Sequence, residues 1–372
     1  MKEIRDIVRR YEEWQAQGHN MVLATVVRVD GSAYRKPGAR MLVCSDGNYE
    51  GGISGGCLDG DAIKKAMAVL DSGQPMLYTY DNMEEDDMTD KARVGCNGIV
   101  YVFMERLSDT EPDSHIAMLK YAAGTRKPHV LITDFDPSAR RQKTSKRHYL
   151  FDELGLVFPQ SHDLSPALSE VSMTTFLAKK NRLVSLSESS GQSNLFCEYL
   201  GPSVRMVVAG SGRDVKPLVS MAGVLGWETV LVDDKAASKL AGLGLAGCQV
   251  VPAKPREVLK KINPDENTVF VLMTHNYGYD KELLYELCSL GVRHVSLLGP
   301  GKKFEKILIE LEAEGRPLSS KQISMVCCPA GLNIGATSPE EIALSIIAEI
   351  KSVMGHGTGM PLTGKAARKV HG

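Results

Sequence analysis

Two cysteines stand in glycine-rich surroundings in the first hundred residues. Cys57 lies in GGISGGCLDGD (residues 51–61) and Cys96 in RVGCNG (residues 93–98). A thiolate is both a nucleophile and a soft metal ligand, and the N-terminus of a helix lowers a thiol's pKa through its free N–H groups and dipole. Cys57 directly precedes a stretch with helical character. It therefore reads either as a reactive thiolate or soft-metal ligand beside an anion-holding loop, or as a small buried cysteine in a tight turn. Gly55 and Gly56 let backbone approach a ligand closely. Arg35, Arg40 and Arg93 are the nearby cations suited to phosphate, or to salt bridges with neighbouring acids. No histidine lies at metal-ligand spacing from Cys57 or Cys96, which argues against a closed zinc site. A shared soft-metal or sulfur-handling centre of Cys57 and Cys96 is the expectation.

A second constellation lies in the other half. Gly210-Ser211-Gly212 follows the apolar run RMVVA, and Asp233 follows Gly212 at about the 20-residue separation of a dinucleotide fingerprint. The glycines bring backbone to a phosphate, the helix N-terminus favours the anion, and the acid suits a ribose hydroxyl. The third glycine position of the fingerprint is Val215. His275 follows another apolar run, TVFVLM, and is a candidate acid–base group. A tight first turn that holds no nucleotide is the alternative.

The elements that must carry these residues follow from periodicity. Residues 4–17 place Ile4, Ile7, Val8, Tyr11 and Trp14 on one helical face. Strands are expected over 22–29, 41–44, 78–81 and 99–104, with a helix over 58–70. From residue 204 the chain alternates: strands at 204–209, 229–232, 248–251, 268–273 and 294–298, and helices at 215–225, 255–262, 279–290 and 303–314. A helix over 339–353 opens with the capping box Ser338-Pro339-Glu340-Glu341. This predicts an α/β protein: an N-terminal α+β domain (1–107), an extension and linker (108–200), a Rossmann-like doubly wound parallel sheet (201–354) and a disordered tail (355–372). Within the middle region, strands are expected near 128–133, 184–186 and 195–200. The acidic run 84–90 and the basic run 139–148 read as exposed loops.

The 372 residues carry a formal net charge of −1, so nothing electrostatic points to nucleic acid. No apolar run reaches the length of a membrane span, and the charged first residues do not form a signal peptide. The eight cysteines include no C-x-x-C pair, which suits a reducing cytoplasm.

With both halves in view, the chain resembles the xanthine dehydrogenase accessory proteins of the XdhC/CoxI type. The likeness rests on GSAYRKPGARMLV (31–43), ISGGCLDGD (53–61), VGCNG (94–98), MTHNYGYD (273–280), the glycine loop after Leu298, and GLNIGATSPEEIALSIIAEI (331–350). It implies a cytoplasmic homodimeric accessory protein that binds molybdenum cofactor (molybdopterin). Such a protein serves purine catabolism by delivering the cofactor to a xanthine dehydrogenase-like molybdoenzyme, with a cysteine desulfurase as a second partner. On that reading Cys57 and Cys96 meet the metal or its sulfur, and Arg35, Arg40 and Arg93 meet phosphate. The alternative is an NAD(P)-dependent oxidoreductase using Gly210, Gly212, Asp233 and His275.

Overall fold

Strands whose side chains alternate between two apolar layers set the architecture. The structure is a computed structural model, and it describes residues 1–81, 98–108, 113–135, 147–159, 165–188, 191–234 and 247–363. The chain divides into two units, Met1–Pro202 and Ser203–Gly372.

The first unit holds two antiparallel five-stranded sheets. Sheet one has the order β3-β2-β1-β5-β4, built from β1 (Met21–Gly31), β2 (Arg40–Cys44), β3 (Tyr49–Gly51), β4 (Met76–Asp81) and β5 (Gly98–Arg106). Sheet two has the order β8-β7-β6-β10-β9: β6 (His129–Phe135), β7 (Arg147–Asp152), β8 (Gly155–Phe158), β9 (Arg182–Glu188) and β10 (Gly191–Leu200). Four helices join them: α1 (Lys2–Ala16), α2 (Asp59–Ser72), α3 (His115–Gly124) and α4 (Pro166–Ala178).

Period-two alternation explains the packing. In sheet one, Val22, Ala24, Val26 and Met41 face α2 and its Ala62, Ala66 and Val69. Met21, Leu23 and Leu42 face the opposite way, into a core with α1, α3 and the Leu131, Leu150 and Leu200 side chains of sheet two. Val27, Phe103, Phe135 and Phe196 continue this inter-sheet layer. Burying a large aliphatic or aromatic side chain of this kind stabilises by about 1.5–3 kcal/mol. The middle region, expected as an extension and linker with strands near 128–133, 184–186 and 195–200, carries this second sheet within the first unit. The end of the expected basic loop is also corrected: Arg147 and His148 lie in β7, and His148 is buried.

The second unit holds one parallel six-stranded sheet in the order β13-β12-β11-β14-β15-β16. Its strands are β11 (Arg205–Ala209), β12 (Glu228–Asp233), β13 (Cys248–Pro252), β14 (Thr268–Leu272), β15 (Val295–Leu297) and β16 (Val326–Cys327). The helices are α5 (Val215–Val224), α6 (Pro255–Ile262), α7 (Tyr277–Leu290), α8 (Gly301–Ala313), α9 (Ser320–Ile323) and α10 (Pro339–Met354). Both faces are covered. Val207, Ala209, Val230, Val232, Phe270 and Leu272 pack on α6, α7 and α8. Met206, Val208, Leu231, Val269 and Val271 pack on α5 and α10. A parallel sheet buried on both sides reads as continuous apolar strands, as these do. The strand order reverses between β11 and β14, so the two connections diverge there and leave a crevice at the carboxyl ends.

Candidate functional site

At that crevice the chain leaves β11 through Gly210, whose φ of 144° is open to glycine but strained for other residues. Its N–H donates to Val232 O, while Met273 N donates to Ala209 O. A Cβ at Gly210 would stand 2.6 Å from Met273 O, so no side chain fits this close pass of two strands. Ser211 Oγ donates to Asp233 Oδ2 at 2.5 Å, which ties the glycine turn to the tip of β12. Past β14, His275 takes a left-handed φ of 56° and sets its Nε2 3.1 Å from Asp214 Oδ2, at the start of α5. The imidazole stays exposed. A Cβ on Gly212 would lie 3.8 Å from His275 Nε2. The four residues singled out here, Gly210, Gly212, Asp233 and His275, are thus brought to one edge.

The floor beside them is a buried charge relay. Asp280 is fully buried, accepts from Thr274 Oγ1 at 2.6 Å, and pairs with Lys303 Nζ at 2.7 Å. Lys303 also donates to Leu298 O at 2.9 Å, so it fixes the glycine loop after β15. Burying a polar group costs free energy unless such hydrogen bonds satisfy it. Nothing in the spacing of Asp280 and Lys303 had marked them.

In the first unit, Cys57 is exposed one residue before the N-cap of α2. The buried-turn alternative is thereby excluded. The loop folds around Ser54, whose Oγ donates to Asp59 Oδ1 at 2.8 Å and accepts from Gly56 N and Leu58 N at 3.0 Å each. Gly56 has φ 110°, and Gly55 packs on the Tyr34 ring. Two N–H groups expected for an anion are therefore taken by Ser54.

The arginines lie differently from the expectation. Arg40 shares the face of Leu42 and points between the sheets. Its Nη1 and Nη2 reach Glu198 Oε1 and Oε2 of β10 at 3.0 and 2.5 Å, a bidentate buried pair. Arg40 is thus a strut between sheets, closed to a phosphate. Arg35 pairs with Glu3, and Glu3 also accepts from Arg40 N at 2.5 Å. Arg93 and Cys96 lie outside the described residues, as do the acidic run 84–90 and most of the run 139–148.

Another set of cations was not picked out in the sequence. A cleft of about 460 Å³ is lined by Arg28, Lys36, Lys179, Lys180 and Arg182 over an apolar wall that includes Pro37 and Leu183. Asp30 is the acid there, held by Arg28 at 2.7 Å. Lys36, Lys180 and Arg182 are exposed. The sequence signal was present in the dense KKNR run at 179–182, but only the fold brings Arg28 and Lys36 to it.

An antiparallel α+β unit with an exposed cysteine loop, and a Rossmann-type unit with a tight glycine turn, define a two-part class of protein. Residues 206–350 match the model described as the XdhC Rossmann domain, and residues 14–81 that of the XdhC and CoxI family. A probable xanthine dehydrogenase subunit of Bacillus subtilis (strain 168) is 30% identical over 329 residues, 88% of this chain and 92% of that one. The chain belongs to the XdhC and CoxI family. The molybdenum cofactor insertion chaperone PaoD of Escherichia coli (strain K12) is a more distant relative, 23% identical over 95% of this chain and 89% of its own. A crystal structure of a xanthine dehydrogenase from Bacillus halodurans is similar at 25% identity with a TM-score of 0.74, covering 96% of this chain and 99% of that one. Among the described residues, no helix is long and apolar enough to cross a membrane.

Proposed function

We propose that the chain binds molybdenum cofactor and hands it to a xanthine dehydrogenase-like apoenzyme. The observation that carries this reading is the exposed thiol of Cys57, held on a glycine loop ahead of α2. Family membership and the likeness to an insertion chaperone support it. The residues present suit the group. Bound cofactor supplies a thiophilic metal with dithiolene sulfurs and an anionic phosphate on a flat pterin. Cys57 offers a soft donor. The cleft of Lys36, Lys180 and Arg182 offers positive charge, and its apolar wall offers a surface for a planar ring.

The test is direct. Protein mixed with isolated cofactor and passed through gel filtration should retain molybdenum and pterin. Cys57→Ala should lose the metal's retention and abolish activation of a cofactor-free partner. Lys180→Glu with Arg182→Glu should raise the dissociation constant about tenfold, the effect of roughly 1.4 kcal/mol. Wild-type retention unchanged in both variants would overturn the reading.

One observation favours a second ligand. The Ser211–Asp233 contact holds an acid at the β12 tip, where a ribose hydroxyl binds in dinucleotide sites. NAD(P) titration of wild type and Asp233→Ala decides it: saturable binding lost in the variant supports a nucleotide in the second unit, and equal or absent binding refutes it.

A further inference from the structure

The inter-sheet layer of the first unit contains a group of ionisable side chains that the proposed function does not use. Glu105 of β5 shares a face with Phe103 and points at sheet two; His148 of β7 shares a face with Leu150 and points at sheet one. His115 opens α3 beside them. All three are buried. His115 Nδ1 lies 2.7 Å and His148 Nε2 2.9 Å from the same oxygen, Glu105 Oε1. The two imidazoles stack at 4.1 Å between centroids. His148 Nδ1 is engaged by Thr133 Oγ1 at 3.2 Å, which fixes the ring.

We propose that Glu105, His115 and His148 form a binding site for a divalent transition metal of the zinc class. Two imidazoles and one carboxylate are a donor set that zinc accepts with a further position left open. The three donor atoms lie within 4.8 Å of one another. Zinc at about 2.0–2.1 Å from each would set neighbouring donors roughly 3.3 Å apart, so the contacts need open by only about half an ångström. The His148 contact leaves a buried ring nitrogen for an ion to take up. Despite its 2.9 Å approach to the carboxylate, His148 Nε2 has no hydrogen-bond partner among the described residues.

Two further observations agree. A cavity of about 250 Å³ borders all three side chains and is also lined by Ser108, Asp113 and Tyr149, so an open coordination position would have a place for water or an exogenous ligand. Thr133 stands behind His148 as the outer hydrogen-bond partner that orients ligating histidines. Of the three donor groups among the described residues, this alone has no cysteine; the other two are His19, Cys44, Asp46 and His294, Cys327, Glu349.

The full chain, stripped with a chelator, should be titrated with Co²⁺ and then with Zn²⁺. The expected result is one equivalent of Co²⁺ giving the visible bands of four- or five-coordination without a sulfur-to-metal charge-transfer band, displaced by Zn²⁺. His148→Gln and His115→Gln should each weaken binding by about 100-fold or more. Absence of Co²⁺ binding to wild type, a thiolate charge-transfer band, or unchanged affinity in folded variants would each overturn the proposal. The wild-type spectrum decides even where a variant fails to fold.

Discussion

Removing Arg40 should test how the two sheets of the first unit are held together. The guanidinium is 1% exposed and Glu198 9%, and the pair is bidentate. Arg40→Met keeps much of the apolar stem but strands a carboxylate in the interior. Breaking one partner of a buried pair costs about 3–5 kcal/mol, because the remaining charge keeps its desolvation penalty without its compensation. An exposed pair is worth only about 0–1 kcal/mol. Arg40→Met/Glu198→Leu removes both charges, and hydrophobic replacement of a buried pair is often neutral or better. The double variant should therefore regain most of what the single variant loses. Urea denaturation of wild type, both single variants and the double variant gives the coupling energy directly. A loss below about 1 kcal/mol in Arg40→Met, or a double variant no better than the sum of the singles, would refute the reasoning. Cofactor affinity of folded Arg40→Met should match wild type, since the guanidinium meets Glu198 and no open surface.

Gly210→Ala should destabilise the second unit by about 1–3 kcal/mol, from the strain at φ 144° and a Cβ 2.6 Å from Met273 O; a thermal midpoint equal to wild type contradicts this. Metal-free protein should lose stability as pH falls from 6.5 toward 4. The unfolded chain protonates His115 near its ordinary 6.5, the folded chain only near about 4, so the unfolded state holds more protons across that window. The slope is up to about 1.4 kcal/mol per pH unit. Glu105 carries the loss further down: burial raises its pKa, but the neighbouring His148 and His115 outweigh that and hold the carboxyl below its ordinary range. Denaturation midpoints in a pH series should show the slope in wild type and a shallower one in His115→Gln; equal slopes would contradict the assignment.

Much of the second unit was legible because its signals are local. RMVVA, ETVLVD and TVFVL are apolar runs buried on both faces, and each ends in a turn whose residue types announce it. The crevice followed, since parallel strand ends meet at one edge. The first unit was harder because its polar side chains are explained by partners far away in the chain. Arg40 reads as a surface cation until its partner, 158 residues on, is seen across the layer. His148 lay in a basic run, and the strand alternation that turns it inward begins only at its edge. Glu105, His115 and His148 come from two strands and a helix start, a spacing that no short motif encodes. The exposed cleft had a visible lysine pair, but Arg28 and Lys36 join it only through the packing of β1 and β9.

The position of α10 bears on how the second unit is made. This helix closes the face of the sheet shared with α5, through Ala343, Ile346, Ile347 and Ile350 against Val208, Val215, Leu218 and Val271. The opposite face is covered by α6, α7 and α8, all of which are synthesised earlier. During translation α5 is complete at Val224, but its cover begins only at Pro339. At roughly 5–20 residues per second, that half of the core waits about 6–23 s for its lid. In that interval the nascent chain presents an apolar sheet face, a natural substrate for ribosome-associated chaperones. Truncations that stop short of the helix should be trapped in the same sticky state.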